Sequence, residues 1–99
     1  MTEAAGNTAP GTLRRTLAIA NKRGLHARAA AKFVRTAGQF DAAVRVSFKG
    51  QDVSGLSIMG LMMLAAGIGS SIELSCSGRQ AFEAMTALSA LVEGKFGED

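Results

Sequence analysis

Beyond its first eleven positions the chain alternates between two spacings of apolar residues, every second position for strands and every third or fourth for helices. Thr12 to Ala20 reads as a first strand, and Asn21 to Leu25 as the loop that follows it. Ala30, Phe33, Val34 and Ala37 fall at i, i+3, i+4 and i+7, which predicts a helix from about Ala27 to Ala37 that Gly38 stops. Val44, Val46 and Phe48 alternate as a second strand. Lys49-Gly50 then turns the chain into a short third strand over Gln51 to Ser54, so the pair forms a hairpin. Ser57 stands at an N-cap position ahead of a helix over Ile58 to Ala66, which Gly67 and Gly69 end. Ile72, Leu74 and Cys76 alternate within a fourth strand, Ser71 to Ser77. A last helix follows Gly78, with Ala81, Met85, Leu88 and Val92 at helical spacing and Phe82 broadening the stripe.

That order, βαββαβα, predicts an α+β fold. Every helix and most strands carry one apolar side, so an antiparallel sheet is expected to hold the helices on one face and leave the other open. Length agrees, because 99 residues with 47% hydrophobic content fill one small core and not two. Residues 1–11 are rich in Ala, Gly and Thr, carry Pro10 and lack periodicity; they are expected to be a disordered tail, with 12–99 as the single domain. They have neither the charged start nor the apolar stretch of a secretory signal, and no apolar run is long enough for a bilayer. The expected location is the cytoplasm, without membrane insertion.

The second helix complicates the simple picture. Met59, Leu61, Met62, Met63 and Leu64 make it too apolar all round for a helix with one side in water. Either it is buried or part of it docks a partner, a role that the flexible methionine side chain suits. Cys76 alternates with Ile72 and Leu74 and has no adjacent base or cation, so it reads as core packing. One His and one Cys do not make a zinc site, and no metal or cofactor is expected.

Charge is unevenly divided. Nine of the eleven Lys and Arg residues lie between Arg14 and Lys49, whereas six of the eight acids fall from Asp52 onward. Lys22, Arg23, Arg28, Lys32 and Arg35 surround the only histidine, a side suited to phosphorylated groups or an acidic partner. A net charge of +3 also suits a small RNA-binding module. Against that reading, there is no Tyr or Trp, and of the five Phe residues only Phe48 lies clearly in a strand. Sheet-based RNA readers need several exposed stacking rings, so nucleic acid is not an expected partner.

The candidate chemistry sits at Gly24-Leu25-His26-Ala27-Arg28, with His26 at or near the start of the first helix. A helix start presents unpaired N–H groups and partial positive charge, so a phosphoryl group on the imidazole would meet donors from about Ala27 and Arg28 onward. The same field disfavours imidazolium, and a nucleophilic imidazole must be neutral. Arg28 adds a guanidinium fork matched to phosphate oxygens. The same residues also fit a histidine that only caps its helix.

GLHARAAAKFV together with SIMGLMMLAAGIGSSIEL resembles the HPr family, the histidine phosphocarriers of the phosphoenolpyruvate-dependent phosphotransferase system, and the likeness runs from about Thr12 to Val92. It implies an open-faced sandwich with strand order first, fourth, second, third, and a monomer. It implies that enzyme I phosphorylates His26 at Nδ1, leaving Nε2 to solvent or another partner, and that a histidine of a IIA protein then receives the group. Any Mg²⁺ requirement would belong to enzyme I. It further implies a docking face that includes Leu56, Met59 and Met62. Ser57 would be a regulatory site for HPr kinase/phosphorylase in organisms that have that enzyme. A nitrogen-related HPr paralogue, regulating proteins instead of energising sugar uptake, would share the same chemistry. Ala29 departs from the proline that many of these sequences carry after the arginine, and Leu56 from the lysine often found before the serine.

Overall fold

Side-chain alternation decides how the strands are used. In the computed structural model, which describes residues 11–98, β1 (Leu13–Ala18), β2 (Ala43–Phe48), β3 (Gln51–Ser54) and β4 (Ser71–Ser77) form one antiparallel sheet in the order β1-β4-β2-β3. Register sets Leu17 opposite Ile72 and Val46 opposite Leu74, and all four side chains are buried on one face. Arg14 and Arg45 both lie opposite Ser75 and turn to the open face. There they pair at the surface with Glu73 and Asp52, at 3.4 and 3.3 Å. Three helices cover the apolar face: α1 (Ala27–Ala37), α2 (Ile58–Met63) and α3 (Ala81–Glu93). α3 packs on β1 and β4, while α1 packs between α2 and α3. Burying a large aliphatic or aromatic side chain such as Phe33, Leu61 or Leu88 stabilises the fold by about 1.5–3 kcal/mol each.

The element order and the sheet order are those expected. Lys49 and Gly50 both have positive φ, 49° and 81°, the twist that a two-residue hairpin turn requires. Cys76 is buried, and burial pushes its thiol up to about 11, in keeping with packing and not reactivity. The expected tail lies outside the described residues, apart from Gly11.

Three expectations need correction. β1 is shorter than Thr12 to Ala20; its regular ladder ends at Ala18, although Ile19 N–H still donates to Ser70 O at 2.8 Å. α2 ends at Met63 and does not reach Ala66. Leu64 caps it, and Ala65 swings to φ 57°, which turns the Ala66 carbonyl away to accept from Leu25 N–H at 3.0 Å. Phe82 does not widen the buried stripe of α3 but stands 72% exposed, being about 100° around the helix from Ala81. Phe96 is the aromatic that fills the core beyond the end of α3.

Candidate functional site

The loop before α1 is built to hold one residue in place. Asn21 is fully buried; its backbone carbonyl accepts from Gly24 N–H at 3.2 Å, and its Nδ2 donates to Gly24 O at 2.9 Å. Gly24 has φ 63°, and a Cβ there would lie 2.4 Å from Ala66 O, so no other residue fits without moving the chain. Leu25 is buried next to it and tied to Ala66.

His26 is therefore delivered to the N-cap of α1 in extended conformation, φ −76° and ψ 178°. Its carbonyl accepts from Ala30 N–H at 2.8 Å, which opens the helix. The N–H groups of Ala27, Arg28 and Ala29 precede that bond and have no partner within the helix. The His26 side chain makes no capping bond to them. Ala29 is buried and the first turn is regular without proline.

The imidazole points elsewhere. His26 Nε2 lies 2.5 Å from Glu98 Oε2, and the two side chains are only 17% and 16% exposed. Glu98 reaches this position through a left-handed turn at Lys95, Phe96 and Gly97, with φ 60°, 55° and 75°. Buried Phe96 anchors the turn, and Lys32 Nζ donates to its carbonyl at 2.6 Å. Asn21 Nδ2 also donates to Glu98 Oε1 at 3.1 Å. The hydrogen bond with His26 holds the Glu98 carboxyl below the usual carboxylate range; Asn21 and Lys32 add to this, and partial desolvation opposes it.

Among the expected site residues, Arg28 is exposed in the first turn and lines an open cleft with Lys22, Arg23, Lys32, Gly97 and Glu98. The cleft thus joins four cations to the Glu98 carboxylate that the imidazole contacts. Ser57 is the N-cap of a different helix, α2, and its Oγ accepts from Gly60 N–H at 2.9 Å. Leu56, Met59 and Met62 are 56%, 68% and 40% exposed, and Ile58, Met63 and Ile68 are exposed as well. Among the described residues no three of His, Cys, Asp and Glu gather as a metal site, and no helix is long and apolar enough to cross a membrane.

Sequence reading missed Glu98, and with it the turn that carries it. Gly94 and Gly97 bracketing Phe96 were the available signal that an anchored turn follows α3.

Comparison with known proteins gives the family and the fold. The family described as "PTS HPr component phosphorylation site" matches residues 13–94. A phosphocarrier protein HPr from Cupriavidus necator is 52% identical over 86 residues, which cover 87% of this chain and 97% of that protein. The crystal structure of an HPr from Thermoanaerobacter tengcongensis superposes with TM-score 0.84 at 44% identity, covering 88% of this chain and 98% of that one. A structure described as an HPr dimer from the same organism matches with TM-score 0.70 at 46% identity, covering 81% and 92%.

Proposed function

The chain belongs to the HPr family of phosphocarriers, and on that premise we propose that His26 is its phosphoryl acceptor, charged by enzyme I and discharged to a histidine of a IIA protein. The observation that carries the reading is the imidazole held at the start of α1, beside unspent backbone donors and a cleft lined by cations. The His26 Nδ1 lone pair forms the new N–P bond as the N–P bond of the donor phosphohistidine breaks and returns its electrons to the donor ring. The phosphoryl oxygens then meet the Ala27 and Arg28 N–H groups and the Arg28 guanidinium. Catalysis is positioning and charge stabilisation, as in phosphoryl transfer generally. The stabilisation must stay moderate, since each extra 1.4 kcal/mol favouring the phosphorylated carrier biases transfer about tenfold against release. A helix end supplies about 0.3–1 kcal/mol, which is the right scale.

Leu56, Met59 and Met62 form the docking surface shared by donor and acceptor, supported by their exposure. Ser57 is a regulatory phosphorylation site for an HPr kinase/phosphorylase. A phosphate there keeps acceptor oxygens at the α2 start but sets about two negative charges among those apolar side chains, which weakens docking.

The test is intact mass after incubation of the chain with phosphoenolpyruvate, Mg²⁺ and enzyme I from the same organism. One acid-labile phosphoryl addition, lost in His26→Ala, supports the reading. No addition from a demonstrably active enzyme I overturns it, and comparing enzyme I paralogues separates the sugar branch from the nitrogen branch.

A further inference from the structure

We infer that Met59, Met62 and Met63 form a reversible oxidation site: a peroxide converts their thioethers to sulfoxides, and this polar change on the exposed face of α2 weakens docking of the phosphoryl donor. The inference rests on the docking reading of this surface and adds to it a chemical input that needs no kinase.

The short helix sorts its own side chains. Met63 stands about 40° around the axis from Met59, and Met62 about 60° on the other side, so the three thioethers share one face. Leu61 lies about 160° away from Met59, is fully buried and holds the helix to the core. Gly60 lies close against β3, where a Cβ would come 3.1 Å from Val53 Cβ. Met59 and Met63 are 68% and 71% exposed and Met62 40%, whereas Met85 in α3 is 5% exposed. The remaining methionine, Met1, lies outside the described residues. The single thiol does not compete, because Cys76 is buried and burial pushes it up to about 11, which keeps it protonated and unreactive. Among the described residues, the exposed sulfur-bearing side chains are therefore confined to α2.

The chemistry is a two-electron oxygen transfer. The thioether sulfur gives an electron pair to a peroxide oxygen, the O–O bond breaks, and from hydrogen peroxide the second oxygen leaves with both protons as water. What had been an apolar, pliable side chain then carries a strong hydrogen-bond acceptor. The free protein tolerates this, because the face is in water and no core contact is lost. A docked partner does not, since an apolar surface closing over the S–O group strips its water without supplying a donor. The change reverses when a thiol-dependent reductase removes the oxygen as water and its two thiols become a disulfide, one type of reductase serving each sulfoxide epimer. The oxidised atoms lie outside the His26 loop and the Ser57 cap, so the effect falls on donor binding and not on the chemical step.

The experiment treats the full-length chain with hydrogen peroxide, destroys the excess with catalase before any enzyme I is added, and locates the added oxygen by peptide mass mapping. Acceptance from phospho-enzyme I is measured over a range of carrier concentrations before treatment, after it, and after incubation with both methionine sulfoxide reductases and a dithiol. Met59, Met62 and Met63 should oxidise ahead of Met85. KM for the carrier should rise about tenfold while kcat changes less than about twofold, and reduction should restore the starting value. A variant with Met59→Leu, Met62→Leu and Met63→Leu together is compared only with itself, and peroxide should leave its KM where it was, whatever its starting rate. Oxidation of Met85 as fast as the other three, a KM unmoved by full oxidation of α2, or an equal peroxide effect in the leucine variant overturns the inference. Leu56→Asp, which involves no sulfur, keeps the failures apart. A KM unmoved by that charge overturns the docking reading itself, whereas a KM raised by Leu56→Asp and not by peroxide overturns the oxidation site alone.

Discussion

The starts of α1 and α2 are the same structural device put to opposite uses. At α2 the Ser57 hydroxyl caps Gly60 N–H, and the helix it begins has no charged residue at all. At α1 the N-cap side chain turns away to Glu98, the first backbone donors stay unspent, and Lys22, Arg23, Arg28 and Lys32 line the adjoining cleft. A helix N-terminus is available to a phosphate only where its own side chains decline to satisfy it. The second start is already satisfied by its own hydroxyl, and Leu56, Met59 and Met62 stand exposed close by in sequence, which suits contact with a protein surface. On the proposed reading, receiving the group and docking the donor fall to neighbouring helices that pack together.

The largest effect on this contrast should come from Gly24→Ala. A Cβ there would stand 2.4 Å from Ala66 O on a residue with φ 63°, so either the histidine loop or the segment after α2 must move. Strain of this kind costs about 1–3 kcal/mol for the backbone alone. Thermal unfolding should show the loss, and phosphoryl acceptance should fall with it because His26 is no longer seated at the α1 start. A variant as stable and as fast as wild type would mean the loop does not position the histidine. Arg28→Ala should do the converse, slowing acceptance about tenfold by removing a charge-assisted donor while barely moving the melting temperature, since the side chain is exposed.

Much of this was legible before the structure, and the reasons are particular. α1 was readable to its ends because Ala30, Phe33 and Ala37 face the core and polar residues do not, and the sheet because Ile72, Leu74 and Cys76 alternate without interruption. The early end of α2 was not readable, since it is set by a hydrogen bond between Leu25 and Ala66, far apart in sequence. Phe82 fell outside the core and Phe96 filled it for a related reason. Periodicity assigns a face only while the helix lasts, and Phe96 gains its burial from a left-handed turn after it. The histidine and its arginine could be found as a local motif. Glu98 could not, because its partner lies 72 positions earlier in the chain.

Ser57→Asp gives a smaller effect and tests the second start directly. Aspartate caps helices about as well as serine, so the α2 start should persist and stability should hold. The added charge, however, sits beside the apolar surface, and acceptance from phospho-enzyme I should slow about threefold through weaker docking. A rate equal to wild type would show that charge at the α2 start does not reach the donor, and would leave regulation at Ser57 without its electrostatic basis.

The smallest effect, and the one that separates the two helix starts most cleanly, is a titration. The Glu98 carboxyl should protonate below the ordinary glutamate value of about 4.3, because the His26 contact favours its ionised form. A depressed value means that the contact contributes to stability above the ordinary range and is lost as pH falls through the folded-state value, so it is intact at neutral pH. Besides His26 and Asn21, the groups near this carboxyl are Lys32 and the cleft residues Lys22, Arg23 and Arg28. Following the side-chain carboxyl carbon by NMR should therefore give a low midpoint, accompanied by movement of the amides of 95–98 and of the first turn of α1. The Gly60 amide should not share that midpoint, since its acceptor is a hydroxyl with no proton to gain in this range. A Glu98 midpoint at or above the ordinary value would mean that the carboxylate does not hold the ring, and that α1 begins with a free imidazole instead of an oriented one.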